Sequence, residues 1–427
     1  MICSERELEI GDDAAGILVL DADAPVGTDF AEYVDLPDVV FDLSITPNRP
    51  DAMSMLGIAR ELSAYFGVSY EMQEPELPSV PGAPSTTVEI ADPTGCLRFT
   101  GREIRDLEIG PSPFWMRQRL RAAGVRAISN AVDVTNYVML ELGQPMHAYD
   151  LARLDGEISA RFAQAGESVV LLDEQTVELS DDVLVIANAG KPVALAGIMG
   201  GATTAVTDDT KDIFFESAWF SPEALAGKAR RFGLHTDASL RFERGVDFSG
   251  QLRAIERATE LLLEIVGGEP GPATEARNEP DLPQRVSVEL RRARLASMVG
   301  IELPDDEVTG ILTRLGMVVD ETPVGWGATP PANRFDISIE ADLVEEIVRV
   351  HGYDAVPEIA ERPAARLSRV TESRVPPERA VDTLVDRGFH EAITYSFVDP
   401  DRQNLLLGDA ADLGLSNPLS NELAVMR

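Results

Sequence analysis

Three proline-rich stretches divide this chain, and they constrain its fold more than any other feature. They read "EMQEPELPSVPGAPSTT" (71–87), "EPGPATEARNEPDLPQR" (269–285) and "AERPAARLSRVTESRVPPERA" (360–380). Proline fixes φ and removes a backbone donor, and none of the three stretches shows apolar periodicity. We therefore predict a linker at each. A chain of 427 residues also exceeds one ordinary hydrophobic core, so the predicted fold is multidomain.

Helix and strand patterns alternate between these linkers. Helices are predicted from Pro50 to Gly67, from a Ser112 cap to Gly124, and over "SGQLRAIERATELLLEIVGG" (249–268). Strands are predicted over 183–188, 192–201 and 212–220. The stretch 285–355 indicates a compact unit of helix, helix, short strands and helix. The fold class expected is α+β.

The ends of the chain have a different character. Residues 1 to about 35 contain strand fragments without enough apolar area for a domain, and a last α/β unit stops at Arg427. We expect the chain to begin inside one module and to end inside another.

The composition is that of a globular protein with an acidic surface. There are 73 acidic residues against 37 basic ones, which gives a net charge of −36. Such a surface repels phosphate backbones at long range, so any RNA contact must be local. No stretch approaches the ~20 apolar residues that cross a bilayer, and no secretory signal opens the chain. Because two cysteines cannot form a disulfide framework, we expect a cytoplasmic protein with no membrane partner.

Two basic clusters are candidates for a local phosphate contact. They are "RQRLRAAGVR" (117–126) and "GKARRFGLH" (227–235), the second continuing to Arg241 and Arg244. Arginine-rich helix faces are more often solvated surfaces, so the sequence leaves both interpretations open.

Four carboxylates form the densest local cluster. Asp336 lies in a strand-like run, and Asp342, Glu345 and Glu346 follow at i, i+3 and i+4 of a predicted helix. Acids favour a first helical turn because the macrodipole is positive there. That explains one carboxylate, whereas four together favour a cation. Oxygen ligands without histidine or cysteine indicate Mg²⁺ rather than Zn²⁺.

A second, dispersed set of residues surrounds one of the four histidines. His147 lies in "QPMHAYD", Gly200 in "GIMGG", and Glu216 in the apolar strand "FFESAWF". An ionised carboxylate among aromatic residues is costly unless it is bonded or paired. A structural histidine and an outward-facing glutamate remain the alternatives, and paired glycines are common in turns.

Several long phrases occur in a recognisable order. They include "AISNAVDVTNYVMLELGQPMHAYDL", "ALAGIMGG", "TDASLRFERGVD", "TPPANRFDISIEADLVEEIVRVHGYD" and "SNPLSNELAVMR". This chain resembles the β subunits of bacterial phenylalanyl-tRNA synthetases through essentially all of its length. The resemblance implies an interior fragment of a subunit about twice as long. That subunit pairs with a catalytic α subunit in an (αβ)₂ heterotetramer, which uses ATP at the α subunit and charges tRNA(Phe).

The resemblance also implies a domain organisation. It comprises a remnant of an OB-type tRNA-binding module (1–38), a helical connector with a linker (39–87), and a mixed α/β editing domain (88–278). A magnesium-binding, winged-helix-like small domain (283–357) and the truncated start of a class II synthetase-like core (365–427) follow.

The resemblance assigns site residues, and all match the family in type. The editing-site positions, where Tyr misattached to tRNA(Phe) is hydrolysed, fall on Arg126, Thr135, Asn136, His147, Gly200, Glu216 and Ala238. The Mg²⁺ ligands, completed by the α subunit, fall on Asp336, Asp342, Glu345 and Glu346.

The expected chemistry gives these residues separate roles. Glu216 would accept the hydrogen bond of the tyrosine phenol, and His147 would orient the water or the terminal ribose. Thr135 and Asn136 would supply hydrogen bonds, while Gly200 and Ala238 would leave room for the ring. A scaffold that binds tRNA and the α subunit with an inactive editing site is the alternative, and a free-standing Mg²⁺-dependent hydrolase is a third hypothesis.

Overall fold

The computed structural model describes residues 3–11, 14, 16–20, 24–72, 74–75, 77, 80–358, 375–408 and 413–427. The chain divides into two units, Met1–Glu358 and Ile359–Arg427. Both units mix helices and sheets, so the coarse α+β expectation is confirmed. Most of the linker predicted at 360–380, and four residues of that at 71–87, lie outside the described residues.

The strands of the central region, residues 88–278, build two main sheets and a hairpin. Their bounds are β1 Val88–Ile90, β2 Cys96–Arg105, β3 Met146–Asp150, β4 Ile158–Phe162, β5 Ser168–Val170, β6 Thr176–Glu178, β7 Leu184–Asn188, β8 Lys191–Leu195, β9 Met199–Gly200, β10 Ile213–Phe220 and β11 Glu269–Arg277. One sheet has the order β1-β4-β7-β8-β9, the other β11-β2-β10-β3, and β5 pairs with β6.

In the part of the chain that the structure describes, two α-helices precede the central region, and six α-helices lie within it. The bounds are α1 Phe30–Tyr33, α2 Met55–Phe66, α3 Phe114–Ala122, α4 Asn130–Leu142, α5 Pro222–Leu225, α6 Lys228–Arg231, α7 Asp237–Arg244 and α8 Gln251–Val266. Among the described residues, no helix combines the length and apolarity that a membrane span requires.

The four-stranded sheet is buried on both of its faces. One face joins a core cluster that includes Phe99, Tyr149 and Phe214, together with Ile186 of the five-stranded sheet. The other face carries Ala148 and Phe215 and packs against apolar residues of α4 and α8. Because both faces are covered, all eight residues of β10 are buried. The mostly apolar run that predicted this strand, which only Glu216 and Ser217 interrupt, has the same cause.

The second proline-rich stretch is not simply a linker, which corrects the sequence expectation. Its first half forms β11, an edge strand paired antiparallel with β2. The register shifts between Pro270 and Ala273. Proline cannot donate to a ladder, but an edge strand with a bulge tolerates it.

Two predicted helix starts also need correction. The residues from Pro50 to Ala52 form a separate 3₁₀ turn, and α2 begins at Met55 after the cap Ser54, whose hydroxyl accepts from Gly57 N. Ser112 does not cap α3. Its hydroxyl instead donates to Asp133 Oδ2 at 2.6 Å, so a tertiary contact replaced the local one. The predicted ends at Gly67 and near Gly124 are confirmed.

The third region, residues 283–357, surrounds a small sheet with helices. Its elements are β12 Val288–Arg291, α9 Arg292–Val299, α10 Asp305–Arg314, β13 Val318–Thr322, β14 Gly325–Thr329 and α11 Glu340–His351. The strand order is β12-β14-β13, and Trp326 is buried in the core beneath the helices. The predicted succession of helix, helix, strands and helix is confirmed, with β12 added before it.

The second unit contains short elements. They are α12 Pro377–Asp386, β15 Phe397–Val398, α13 Pro400–Leu407, β16 Leu413–Gly414 and β17 Val425–Met426, with the strands in the order β15-β17-β16.

Candidate functional site

Glu216 and His147 face each other across two neighbouring strands. In the antiparallel pair of β10 with β3, Glu216 lies directly opposite His147 and Phe214 lies opposite Tyr149. Directly opposed side chains on one sheet face have Cβ atoms about 4.5–5.5 Å apart. The sequence-predicted pair is therefore brought together, on the face that meets the five-stranded sheet.

The Glu216 carboxylate is enclosed and has a phenol as its partner. The residue is 6% exposed, and its Oε2 accepts a hydrogen bond of 2.5 Å from the Tyr149 hydroxyl. Burial raises the pKa of Glu216 to about 7, while the hydrogen bond from Tyr149 opposes the rise. Glu216 is therefore not an outward-facing strand residue, and its protonation changes near neutral pH.

The His147 imidazole has a buried nitrogen without a partner. The residue as a whole is partly accessible, but Nε2 is enclosed and makes no hydrogen bond within the described part of the chain. Burial of the ring lowers the pKa of His147 to about 4. The ring packs edge-on against Tyr149 with 4.4 Å between centroids. Near neutral pH this imidazole is uncharged and offers a free hydrogen-bonding atom.

Gly200 lies against the imidazole. A Cβ on Gly200 would fall 2.3 Å from His147 Cε1 and 2.6 Å from Nε2. The structure thus differs from the expectation that Gly200 leaves room for a substrate ring, because the space belongs to His147. Gly201 has a different reason, since its Cβ would lie 2.2 Å from the Val193 carbonyl oxygen.

We expect Gly200→Ala to destabilise the protein by about 1–3 kcal/mol, as overpacking of a filled core does. The methyl group would force the imidazole off its position between β3 and β9. Urea unfolding checks the value, with Gly110→Ala as the control because open space surrounds Gly110. Equal stability of the two variants would contradict the close contact.

The remaining predicted editing-site residues lie in less direct positions. Thr135 and Asn136 belong to α4, which packs on the sheet face opposite to Glu216, and Thr135 Oγ1 donates to Val132 O in its own helix. Arg126 is exposed in the segment between α3 and α4. Ala238 lies in the first turn of α7 and packs on the same core cluster as Tyr149. Within the described residues, none of the four bonds to His147 or Glu216.

Tyr149 is the site residue that the sequence analysis missed. It stood in the quoted "QPMHAYD" as part of the resemblance only. Residues two positions apart in a strand lie on the same face, so the sequence alone could have placed Tyr149 beside His147. The cross-strand partner Glu216 could not be found without the register.

The four predicted magnesium ligands do not fit Mg²⁺ as this chain arranges them. Asp336 accepts from Arg334 Nε and Nη2, and Glu346 accepts from Arg334 Nη1 and from Arg349. Asp342 Oδ2 instead accepts from the backbone N–H of Ser338 and of Ile339, and Glu345 is exposed. Across the described ranges no group of three or more metal-ligating side chains is positioned to hold an ion. A guanidinium supplies the cation that the sequence had predicted as a metal.

Arg334 is the centre of a buried ion-pair network. The network joins three guanidinium groups and four carboxylates, namely Arg49, Arg334, Arg349, Asp51, Glu61, Asp336 and Glu346. Burial opposes ionisation of Glu346, but hydrogen bonds from Arg334 and Arg349 outweigh it and lower its pKa to about 2. The network ties the segment 49–61 to the third region.

The two basic clusters are largely engaged within the chain. In the first, Arg117 bonds to Glu5 and Arg121 to the carbonyl of Glu9. In the second, Lys228 and Arg231 share Asp182, Arg241 pairs with Asp237, and Arg244 reaches the carbonyl of Ile45. Few basic side chains in these two clusters therefore remain available for the expected local contact with phosphate.

Comparisons with known proteins define the class of this chain. Residues 95–267 match the B3/4 domain, residues 288–353 the tRNA synthetase B5 domain, and residues 357–427 the phenylalanyl tRNA synthetase beta chain CLM domain. The B5 and CLM matches indicate part of a tRNA synthetase.

Curated relatives identify the family. Over the whole chain, phenylalanine–tRNA ligase beta subunits of Methylococcus capsulatus, Idiomarina loihiensis and Vibrio vulnificus are 49%, 46% and 45% identical. The chain belongs to the phenylalanyl-tRNA synthetase β-subunit family, and it spans about half the length (54%) of these relatives.

A solved N-terminal fragment of the Pyrococcus horikoshii beta subunit is a distant structural likeness. It has 16% identity and a TM-score of 0.37, and the match covers 74% of this chain and 90% of the fragment.

Proposed function

We propose that the central region hydrolyses the ester bond of tyrosine that is wrongly attached to tRNA(Phe). The observation that carries the proposal is the buried Glu216 carboxylate, which faces His147 and is already bonded to a phenol, that of Tyr149. A site that hydrogen-bonds an internal phenol has the chemistry to accept the phenol of a substrate tyrosine.

Discrimination between tyrosine and phenylalanine follows from this acceptor. An apolar pocket rejects an added hydroxyl by only ~10²-fold, so a synthetic site admits some tyrosine. A second site built around a polar group rejects phenylalanine, because phenylalanine would leave Oε1 of the buried carboxylate, the oxygen that Tyr149 does not bind, without a donor. Glu216 therefore suits an editing site better than a synthetic one.

Hydrolysis of the ester needs a positioned water molecule. The uncharged His147 imidazole is a weak base, since burial lowers its pKa to about 4. Its role in the proposal is to hold the water or the terminal ribose through the unpartnered Nε2. Because β3 is an edge strand, a substrate along that edge would meet His147 on one side and Thr135 and Asn136 of α4 on the other. Arg126, Gly200 and Ala238 complete the proposed site.

The assembly around this chain is also part of the proposal. The β subunit would act with a catalytic α subunit in an (αβ)₂ heterotetramer that attaches phenylalanine to tRNA(Phe) with ATP and Mg²⁺ in the cytoplasm. The five predicted domains would keep the roles given above. Asp336, Asp342, Glu345 and Glu346 would hold Mg²⁺ only after a rearrangement of the Arg334 pairs, so no step is assigned to the ion.

A scaffold role is the second candidate, and one observation favours it. Tyr149 already uses Glu216 Oε2, so the internal phenol could occupy the place of the substrate. In that case the chain would bind tRNA and the α subunit without hydrolysing the ester.

A deacylation assay with Tyr-tRNA(Phe) separates the two functions. We expect the chain to release tyrosine, and Glu216→Ala to release it about 10- to 100-fold more slowly, since a hydrogen bond to a charged group contributes ~1.5–3 kcal/mol. Glu264→Ala, an exposed glutamate on α8, is the matched control. Full hydrolysis by Glu216→Ala would exclude the acceptor role, and no hydrolysis by the unmodified chain would favour the scaffold.

A further inference from the structure

We infer that Tyr149 is a positioning residue for editing: its hydroxyl holds one oxygen of Glu216 and leaves the other to accept the substrate phenol. The inference rests on the proposed function and extends it to a residue with no assigned role. It departs from the scaffold interpretation, in which Tyr149 fills the site.

The geometry separates the two carboxylate oxygens. Tyr149 donates to Oε2, whereas Oε1 accepts no hydrogen bond from any described residue and is not among the fully enclosed unpartnered atoms. An ionised carboxylate offers about four acceptor sites, so one donor does not saturate it. The second oxygen remains available to a substrate hydroxyl.

The Tyr149 ring itself is fixed. It is fully buried and lies opposite Phe214 in the sheet register. The ring packs edge-on against the His147 imidazole, and the backbone of Tyr149 forms an isolated bridge with Ala205. A fully buried ring packed against His147 has little freedom to move, so its hydroxyl favours one orientation of the Glu216 carboxylate.

The charges around Glu216 leave Tyr149 as its one stabilising donor within the described residues. On the same sheet face Cys96 is a buried thiol and His147 is neutral near pH 7, because burial raises the pKa of the first and lowers that of the second. Glu103 is bound by Ser85, Thr86 and Arg105. Strand β8 and helix α7 pack against this face. Lys191 of β8 is exposed to solvent, and in α7 the Asp237 carboxylate and the Arg241 guanidinium form an ion pair with each other.

Removal of the hydroxyl therefore predicts a change in protonation. In Tyr149→Phe the buried carboxylate loses its donor, and its midpoint is expected to move up by about one to two pH units. A protonated Glu216 is a poorer acceptor for a phenol. Release of tyrosine at pH 7.5 is expected to fall roughly tenfold and to recover toward pH 9.

The test is a pH profile of Tyr-tRNA(Phe) hydrolysis for the chain, for Tyr149→Phe and for the control Tyr353→Phe, whose ring is 62% exposed. A profile shifted upward in Tyr149→Phe alone supports the inference. An unchanged profile overturns it, and so does faster hydrolysis at every pH, which would make Tyr149 a plug.

A second measurement does not depend on hydrolysis. The pH dependence of unfolding, compared between Tyr149→Phe and Tyr149→Phe with Glu216→Gln, gives the midpoint of Glu216 in the variant. The same difference between the unmodified chain and Glu216→Gln gives the reference midpoint. If the chain never hydrolyses the ester but the Glu216 midpoint is higher in Tyr149→Phe, the proposed function is refuted while the effect of Tyr149 on Glu216 is supported. Equal midpoints would refute the role of Tyr149 itself.

Discussion

Arg334→Met is expected to lower the free energy of unfolding by about 3–5 kcal/mol, the usual cost of breaking a buried ion pair on one side. Arg334 is 2% exposed and binds Asp336 with Nε and Nη2 and Glu346 with Nη1. Methionine fills a similar volume but leaves both carboxylates with fewer donors in a low-dielectric site. Urea unfolding followed by tryptophan fluorescence measures the change, because Trp326 lies in the core of the same region.

The matched control is Arg291→Met. Arg291 binds Glu340 with two side-chain nitrogens, at 3.0 and 2.6 Å, as Arg334 binds Asp336, but the Arg291 side chain is 61% exposed. A solvent-exposed pair contributes little because water screens it, so its loss should change stability far less than the loss of Arg334. Similar effects of the two variants would show that burial does not strengthen the network.

The pH dependence of stability is expected to change in opposite directions when Glu216 and His147 are replaced. Burial raises the pKa of Glu216 from 4.5 to about 7, so the folded state holds the extra proton and loses stability as pH rises through this window. Burial lowers the pKa of His147 from 6.5 to about 4, so the folded state gains stability as pH rises from 4 to 6.5. The two contributions, roughly 3 kcal/mol each, oppose each other in the unmodified chain.

Each single variant should reveal the contribution of one of these two groups to the pH dependence of stability. Relative to the unmodified chain, Glu216→Gln gains roughly 2–3 kcal/mol between pH 5 and 7.5, and His147→Asn gains roughly 1.5–2 kcal/mol as pH falls from 6.5 to 5. Measurements should stay above the isoelectric point of about 4.4. Glu264→Gln is the control, and its curve should run parallel to that of the unmodified chain. Parallel curves for all three variants would mean that neither group is buried as described.

Local signals in the sequence predicted individual elements well. The "SGQLRAIERATELLLEIVGG" stripe became α8, which ends at Val266 before Gly267, and the run over 212–220 became β10. Local signals failed where a distant partner competed. Ser112 binds Asp133 rather than capping α3, and proline-rich residues 269–277 form an edge strand on β2.

The candidate site was predicted in its residues and not in its arrangement. Resemblance supplied His147 and Glu216, and the sheet register then placed them opposite each other. Tyr149 was missed, since its role depends on which carboxylate its hydroxyl meets. The magnesium prediction did not fit the structure for the same reason, because Arg334 lies between Asp336 and Glu346.

The sequence by itself determined most of the helices and strands, which residues are acidic or aromatic, and which family the chain resembles. The helices and strands depend on neighbours a few positions apart, through periodicity, caps and breakers, whereas the family resemblance depends on long phrases in a fixed order. Only the tertiary structure decided which charge meets which partner, and whether a glycine adjoins open space or an imidazole. A pair such as Glu216 and Tyr149, 67 positions apart in the chain, is fixed by strand pairing and burial, and no local rule of sequence contains that information.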